Sequence, residues 1–114
     1  MEFSTHFYDE IARVYVSGDL LGLQDEQALG EAFDDLLAQG YQRFILDLSE
    51  VQHINSSGLG LLIRMYNQLS DIGGGLVLLN GSKNTLRLMK ITKLDQVFTN
   101  VLSLEDALSF LHRK

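Results

Sequence analysis

The residues best suited to chemistry are grouped in one short segment, Asn55-Ser56-Ser57-Gly58. The segment follows an apolar run typical of a buried strand, Phe44-Ile45-Leu46. After it, apolar residues recur at helical spacing: Leu59, Leu62, Ile63, Tyr66 and Leu69. The segment therefore places two hydroxyls and an amide where a helix leaves its first backbone N–H groups unpaired. A hydroxyl in this position either caps the helix or serves as a reactive group.

Two roles are open for these hydroxyls. Ser56 or Ser57 could cap the helix, which is the simplest role for Ser-Ser-Gly before an apolar periodic run. Alternatively, Ser57 before a glycine partly matches the nucleophile elbow of a serine hydrolase. That pattern fails because Asn55 occupies a position that requires glycine, and neither His53 nor His112 is a good candidate for the general base. We therefore expect no enzymatic activity.

Cofactor loops and metal ligands are also missing from the pattern. Gly73-Gly74-Gly75 and Gly58-x-Gly60 lack the three-glycine spacing of a dinucleotide-binding loop, and Gly81-Ser82-Lys83 inverts the order of a phosphate loop. The three histidines are scattered, and the chain contains no cysteine, which excludes disulfides and thiolate metal sites. We expect neither a cofactor nor a metal ion.

Length and composition predict one domain that spans residues 1–114. With 46% hydrophobic residues the chain can bury a core, but it is too short for two domains. A formal net charge of −6 argues against direct binding of nucleic acid and suits a protein partner. No apolar run approaches the ~18 residues of a membrane helix, and the polar, acidic start is not a secretory signal. We expect a cytoplasmic protein that does not bind membranes.

The elements that must position the serines follow from hydrophobic patterning. The predicted order is a hairpin of residues 2–8 and 11–17, a helix over 24–39, a strand over 43–46 closed by Asp47-Leu48-Ser49, a helix over 58–71, a strand over 76–79, a helix capped by Ser82, a strand over 98–102 and a helix opened by Ser103. Alternation of helices with apolar strands implies crossover connections. We therefore predict an α/β fold with a mostly parallel sheet, an antiparallel strand at its N-terminal edge and about four helices. The predicted core includes Phe33, Leu37, Ile45, Leu62 and Leu78.

Gly58 and Gly60 need a physical reason, because each costs about 1 kcal/mol relative to alanine inside a helix. We expect both to let the start of the helix pack closely on the sheet. The same lack of side chains would leave the Ser57 hydroxyl accessible to another protein.

The central segment resembles the phosphorylation-site segment of the STAS domains, in particular that of the bacterial anti-sigma factor antagonists. The resemblance is carried by Asp47-Leu48-Ser49 and, after a short gap, by Ile54-Asn55-Ser56-Ser57-Gly58-Leu59-Gly60. Weaker similarity covers nearly the whole chain, at residues 17–20, 73–75 and 92–98. Two positions depart from the pattern of many members, which have Asp at the position of Asn55 and Gly at the position of Lys93.

The resemblance implies a STAS fold and a regulatory function. In the family, the hydroxyl residue directly before the glycine accepts phosphate from a partner kinase, and that residue is Ser57 here. The resemblance implies that the unphosphorylated protein binds a serine kinase that doubles as an anti-sigma factor, which frees a sigma factor for transcription. Phosphorylation switches the binding off and a serine phosphatase restores it. We expect a monomer or weak dimer.

The predicted partner-binding surface combines the Ser57 loop with the turn after the second strand. Its residues are Asp19, Leu20, Asn55, Ser56, Ser57, Gly58 and Leu59. The turn lies beside the loop if the second and third strands are neighbours. Two alternatives remain open: a constitutive scaffold subunit of a larger signalling or transport assembly, in which Ser57 is only a cap, or a serine hydrolase.

Overall fold

A computed structural model describes residues 1–113 as alternating strands and helices. In chain order the elements are β1 (Glu2–Tyr8), β2 (Ile11–Ser17), α1 (Leu23–Ala38), β3 (Arg43–Glu50), α2 (Ser56–Asp71), β4 (Gly75–Leu79), α3 (Lys83–Ile91), β5 (Asn100–Val101) and α4 (Leu104–His112), with a 3₁₀ helix at Leu94–Gln96. The predicted α/β fold with four helices is confirmed. In this part of the chain, no helix combines the length and the apolar character that crossing a membrane requires.

The five strands form one sheet in the order β1-β2-β3-β4-β5. β1 pairs with β2 in antiparallel fashion, and every later neighbour is parallel, as predicted. Across the parallel strands the register runs from Val14 to Leu46 and on to Leu78. Because the carboxyl ends of parallel strands meet at one edge, the segments after β2 and β3 lie side by side.

Helices cover the two faces of the sheet unequally. The larger core includes Phe33 of α1, Leu62 of α2 and Met89 of α3, packed against one face. On the other face α4 alone packs Ala107 and Leu111 against the sheet, and this smaller core also includes Ile11, Ile45, Val77 and Leu79. β3 and β4 are apolar on both faces because both faces are covered.

Four of the predicted core residues are fully buried, since Phe33, Ile45, Leu62 and Leu78 each have 0% exposure. Leu37 is only partly buried and packs at the margin of the larger core. The helical spacing in α1 therefore placed Phe33 correctly in the core, but it overestimated the burial of Leu37.

The last strand is shorter than the predicted range 98–102. β5 contains two residues, because the chain before it is still turning out of the 3₁₀ helix: the Phe98 N–H donates to the Leu94 carbonyl at 2.9 Å. The Phe98 ring packs in the core against Tyr66, with ring centroids 5.6 Å apart. An apolar residue read as part of a strand thus anchors the turn before it.

Lys93, where many family members have Gly, has a left-handed backbone with φ 63°. It follows the end of α3 and precedes the 3₁₀ helix. A left-handed residue after a helix is most often glycine, which adopts positive φ without steric cost. Lys93 keeps the turn at the expense of some backbone strain.

β3 continues through Asp47-Leu48-Ser49, the segment that was predicted to close it, and runs to Glu50. The Asp47 carboxylate is buried, with 1% side-chain exposure, and is fully bonded. Arg13 of β2 donates to Oδ2 from Nη2 at 2.6 Å and from Nε at 3.1 Å. The Ser49 N–H donates to Oδ1 at 3.0 Å. A buried charge is tolerated within a strand when it is paired in this way.

The same network lowers the pKa of Asp47. Burial alone opposes the ionised carboxylate, but the hydrogen bonds from Ser49 and Arg13 outweigh it and hold the pKa below the ordinary value of 3.8. Arg13 also donates from Nη1 to the Tyr8 hydroxyl at 2.9 Å. The ion pair therefore ties β1, β2 and β3 together.

We predict that Leu62→Ala lowers the free energy of unfolding by about 2–5 kcal/mol, because the side chain is completely buried in the larger core. Urea unfolding measures the change. The control Leu102→Ala removes a side chain that is 76% exposed, and its effect should stay within about 0.5 kcal/mol. A loss below about 1 kcal/mol for Leu62→Ala would contradict the packing of α2.

We predict that the Asp47–Arg13 pair makes the protein sensitive to acid. Because the folded pKa of Asp47 lies below 3.8, its stabilisation is complete above pH 3.8 and is lost as the pH falls through the folded value. Asp47→Asn should be less stable than the wild type at pH 7, yet lose less stability on acidification. Urea unfolding between pH 7 and pH 2 compares the two. The exposed Asp71→Asn is the control and should follow the wild type; parallel curves for Asp47→Asn would refute the prediction.

Candidate functional site

Asn55 caps α2, a role that the sequence had left open for Ser56 or Ser57. The Asn55 Oδ1 accepts a hydrogen bond from the Gly58 N–H at 2.8 Å, and its backbone has the extended conformation of a cap, with φ −90° and ψ 179°. Its Nδ2 also donates to the Leu21 carbonyl at 2.8 Å. The predicted helix start at residue 58 was wrong, because α2 begins at residue 56, and Asn is as good a cap as Ser.

Ser56 and Ser57 are the first two residues of α2, and both are exposed. The Ser57 hydroxyl donates to Oε1 of Glu26, in the first turn of α1, at 2.7 Å. Since capping is performed by Asn55, neither hydroxyl is required to satisfy the helix start. The sequence did not reveal Glu26 as a neighbour, because the relative placement of α1 and α2 is a tertiary property.

No histidine pairs with Ser57 in the described residues. His53 is exposed, and its Nδ1 lies 3.4 Å from the Asn84 Nδ2. His112 ends α4 and lines a cavity at the β1–β2 hairpin with Asp9 and other residues. The Ser–His hydrogen bond that activates a serine nucleophile is therefore not formed here.

The turn after β2 lies against the Ser57 loop, as predicted. The Asp19 Oδ1 accepts hydrogen bonds from the backbone N–H groups of Gln52 and His53, both at 3.1 Å. Leu20 donates to the His53 carbonyl at 3.1 Å and forms an isolated parallel bridge with Ile54. These bonds hold the turn against the loop.

Some residues predicted to bind a partner are buried. Leu20 has 1% exposure and Leu59 has 3%, and Gly58 is also buried, so these residues support the surface from below. The exposed apolar residues beside them are Leu21 at 49% and Leu23 at 69%, which the predicted surface did not include. Leu20, Leu21 and Leu23 form an apolar run within a turn, and a turn has no periodicity that would separate its buried positions from its exposed ones.

The two glycines of α2 have different environments. A Cβ on Gly58 would lie 2.9 Å from the Leu20 carbonyl oxygen and 2.9 Å from Cγ2 of Ile54, so close approach does require glycine there. A Cβ on Gly60 would meet nothing within 4 Å. The close-packing prediction is therefore confirmed for Gly58 and wrong for Gly60, which faces the open groove between α1 and α2.

That groove has a volume of about 500 Å³ and begins beside Ser57. The α1 side carries the carboxylates of Glu26, Glu31 and Asp34, and the α2 side carries Arg64. Arg64 is engaged further along, with Nη1 3.3 Å from the Asp34 carboxylate. Within residues 1–113, no group of three or more metal-ligating side chains is arranged to hold an ion.

These features define a small α/β module whose surface is built around a helix N-terminus and an adjoining turn. The chain belongs to the STAS domain family: the sequence model of that domain matches residues 2–107.

Two relatives with curated sequences come from Thermotoga. A protein of Thermotoga neapolitana is 34% identical over 65 residues, which is 57% of this chain and 58% of the relative. A protein of Thermotoga maritima is 29% identical over 82 residues, covering 72% and 73% of the two chains. Both have provisional names as anti-sigma factor antagonists.

Solved structures share the fold over nearly the full length. An anti-sigma factor antagonist from Mycobacterium paratuberculosis superposes with a TM-score of 0.85 and 27% identity, over 97% of this chain and 93% of that chain. SpoIIAA, a cell fate determinant of Bacillus, superposes in its unphosphorylated form with a TM-score of 0.83 and 18% identity, over 99% and 98%. Its phosphorylated form is also similar, with a TM-score of 0.75.

We predict opposite effects of alanine at the two glycines. Gly58→Ala should cost about 1–3 kcal/mol of unfolding free energy, because the methyl group meets backbone that cannot move freely. Gly60→Ala should stabilise the protein by about 0.5–1 kcal/mol, because alanine favours the helix and has open space. Thermal or urea unfolding of the matched pair checks this, and equal effects would refute the environments given above.

Proposed function

We propose that the protein is an anti-sigma factor antagonist controlled by phosphorylation of Ser57. In the unphosphorylated form it binds an anti-sigma factor that is also a serine kinase, and this frees a sigma factor. Phosphorylation of Ser57 ends the binding, and a serine phosphatase restores it. The effect on transcription is indirect, through protein partners rather than DNA.

The observation that carries the proposal is the exposed hydroxyl of Ser57 at the second residue of α2. Asn55 caps the helix, so Ser57 can be modified without loss of the cap. Phosphorylation adds about −1.5 to −2 charge, and the positive end of the helix dipole favours that charge. The fold can therefore tolerate the phosphate while the surface changes.

Support for the choice of Ser57 over Ser56 comes from the family motif, in which the acceptor directly precedes the glycine. Support for the function comes from the names of the relatives, and SpoIIAA has been solved with and without phosphate. Membership of the STAS family is consistent with a regulatory role.

The proposed contact surface consists of the half-buried Asp19 and four exposed residues around the acceptor: Leu21, Leu23, Ser56 and Ser57. Exposed leucines are suited to burial against a partner, because each removes apolar area from water. A doubly charged phosphate next to them would have to be desolvated on binding, which is costly unless it is paired. Loss of binding after phosphorylation follows from this cost and needs no unfolding.

We predict that Ser57→Ala binds the kinase whether or not ATP is present, because it cannot be phosphorylated. Ser57→Asp should bind at least about tenfold more weakly, which is 1.4 kcal/mol, because it introduces charge into the interface. Titration calorimetry with the purified kinase gives both affinities. Phosphopeptide mapping after incubation with kinase and ATP should find phosphate on Ser57.

Ser56→Ala is the matched control, because it removes an equally exposed hydroxyl one residue away. It should still be phosphorylated and still lose binding in the presence of ATP. Phosphate on Ser56 would overturn the choice of acceptor. Equal affinity of Ser57→Ala and Ser57→Asp, with no phosphorylation, would leave a constitutive scaffold; ester hydrolysis that Ser57→Ala abolishes would indicate a hydrolase.

A further inference from the structure

The hydrogen bond from Ser57 to Glu26 joins the start of α2 to the start of α1 at 2.7 Å. It is the hydroxyl that donates, since the Glu26 carboxylate has no proton to give. The bond is present only while Ser57 has its proton, so the unphosphorylated side chain is held against α1.

Phosphoryl transfer removes this bond by its own chemistry. When the γ-phosphoryl group of ATP moves to Ser57, the Oγ–P bond forms, the bond to ADP breaks and the hydroxyl proton is released. The donor is lost and three acceptor oxygens take its place. The carboxylate of Glu26 then faces a like charge at the position where it had a hydrogen bond.

Nearby charged groups do little to stabilise a phosphate on Ser57. Glu31 and Asp34 line the same groove as Glu26, and Arg64, the cation on the opposite wall, is already bonded to Asp34 at 3.3 Å and to Gln68 at 2.9 Å. Asp25, next to Glu26, faces the N-terminal amine of Met1 at 3.8 Å. The helix dipole of α2 favours a phosphate, whereas the α1 side opposes it.

The first turn of α1 is the part that can respond. Its N-cap is Gly22, which provides no side-chain hydrogen bond, so the turn lacks the cap that holds α2. Leu21 and Leu23, the exposed leucines of the proposed contact surface, lie on either side of that cap. A shift of Glu26 would therefore displace Leu23, whereas Leu21 stays bonded through its carbonyl to Asn55.

We propose that Glu26 is the positioning residue that transmits the state of Ser57 to α1. Its carboxylate holds the free hydroxyl in place, and it repels the phosphate, so that phosphorylation releases the first turn of α1 and moves Leu23. The inference rests on the proposed role of Ser57 as the phosphate acceptor. It adds that phosphorylation alters the surface of α1 as well as that of α2, rather than the Ser57 side chain alone.

The test uses the full chain with phosphoserine incorporated at position 57 during synthesis, so that no kinase is required. Glu26→Gln removes the charge but keeps an oxygen that can accept a hydrogen bond from the Ser57 hydroxyl. Glu31→Gln is the matched control, because it makes the same charge change on the same helix and groove. A purely structural role of Glu26 would not alter the titration of the phosphate.

Titration by ³¹P NMR measures the second pKa of the phosphate, which is about 6 for an unperturbed group. We expect Glu26→Gln to lower this pKa by about half a unit or more, because removal of a neighbouring negative charge favours the dianion. Glu31→Gln should lower it by less than half as much. Amide shifts of residues 21–26 should change on phosphorylation in the wild type and change less in Glu26→Gln.

An unchanged phosphate pKa in Glu26→Gln, or an equal decrease in Glu31→Gln, would overturn the inference. Amide shifts of residues 21–26 that respond equally in the wild type and in Glu26→Gln would also overturn it. These outcomes are separate from the fate of the proposed function. A kinase that never modifies Ser57 would refute the function without affecting the titration, whereas an unchanged titration would leave Ser57 as an acceptor.

Discussion

The site depends on the two hydrogen bonds of the Asn55 side chain, because they connect α2 to the turn before α1. Its carbonyl satisfies the start of α2 at Gly58, and its amide satisfies the turn before α1 at Leu21. A carboxylate could accept the first bond but could not donate the second. The amide at this position, where many family members have Asp, thus links the loop to the turn directly. With this link in place, neither serine is needed to cap α2.

In the turn after β2 and the Ser57 loop, some residues are buried and stabilise the fold, whereas their neighbours in sequence are exposed to solvent. Leu20, Gly58 and Leu59 are buried and hold the loop on the sheet, while Leu21 and the two serines face solvent. The close contact between Gly58 and the Leu20 carbonyl brings the start of α2 against the turn after β2. A charge can then be added to the surface without disturbing the side chains beneath it.

The order of elements and the sheet could be predicted from the sequence, because apolar runs such as residues 76–79 alternate with helical periodicity. The helix start could not be placed to the residue, because Asn55, Ser56 and Ser57 are all good caps and local patterns do not choose among them. The extent of β3 was missed because Asp47 is stabilised by Arg13, 34 positions away in sequence. The proximity of Glu26 to Ser57 and the open space beside Gly60 both depend on how α1 packs against α2. Contacts of that kind leave no periodic signal.

The strand order has a consequence for how the chain is assembled. Each strand pairs with the one before it in sequence, so the sheet can grow from β1 onward as the chain leaves the ribosome, with no strand waiting to be inserted between two others. The helix that covers Ile45 and Val77 follows all five strands in the chain. Until α4 is synthesised, that face of the sheet is an apolar surface open to solvent, and the nascent chain is most prone to aggregation in the interval between the synthesis of β5 and that of α4.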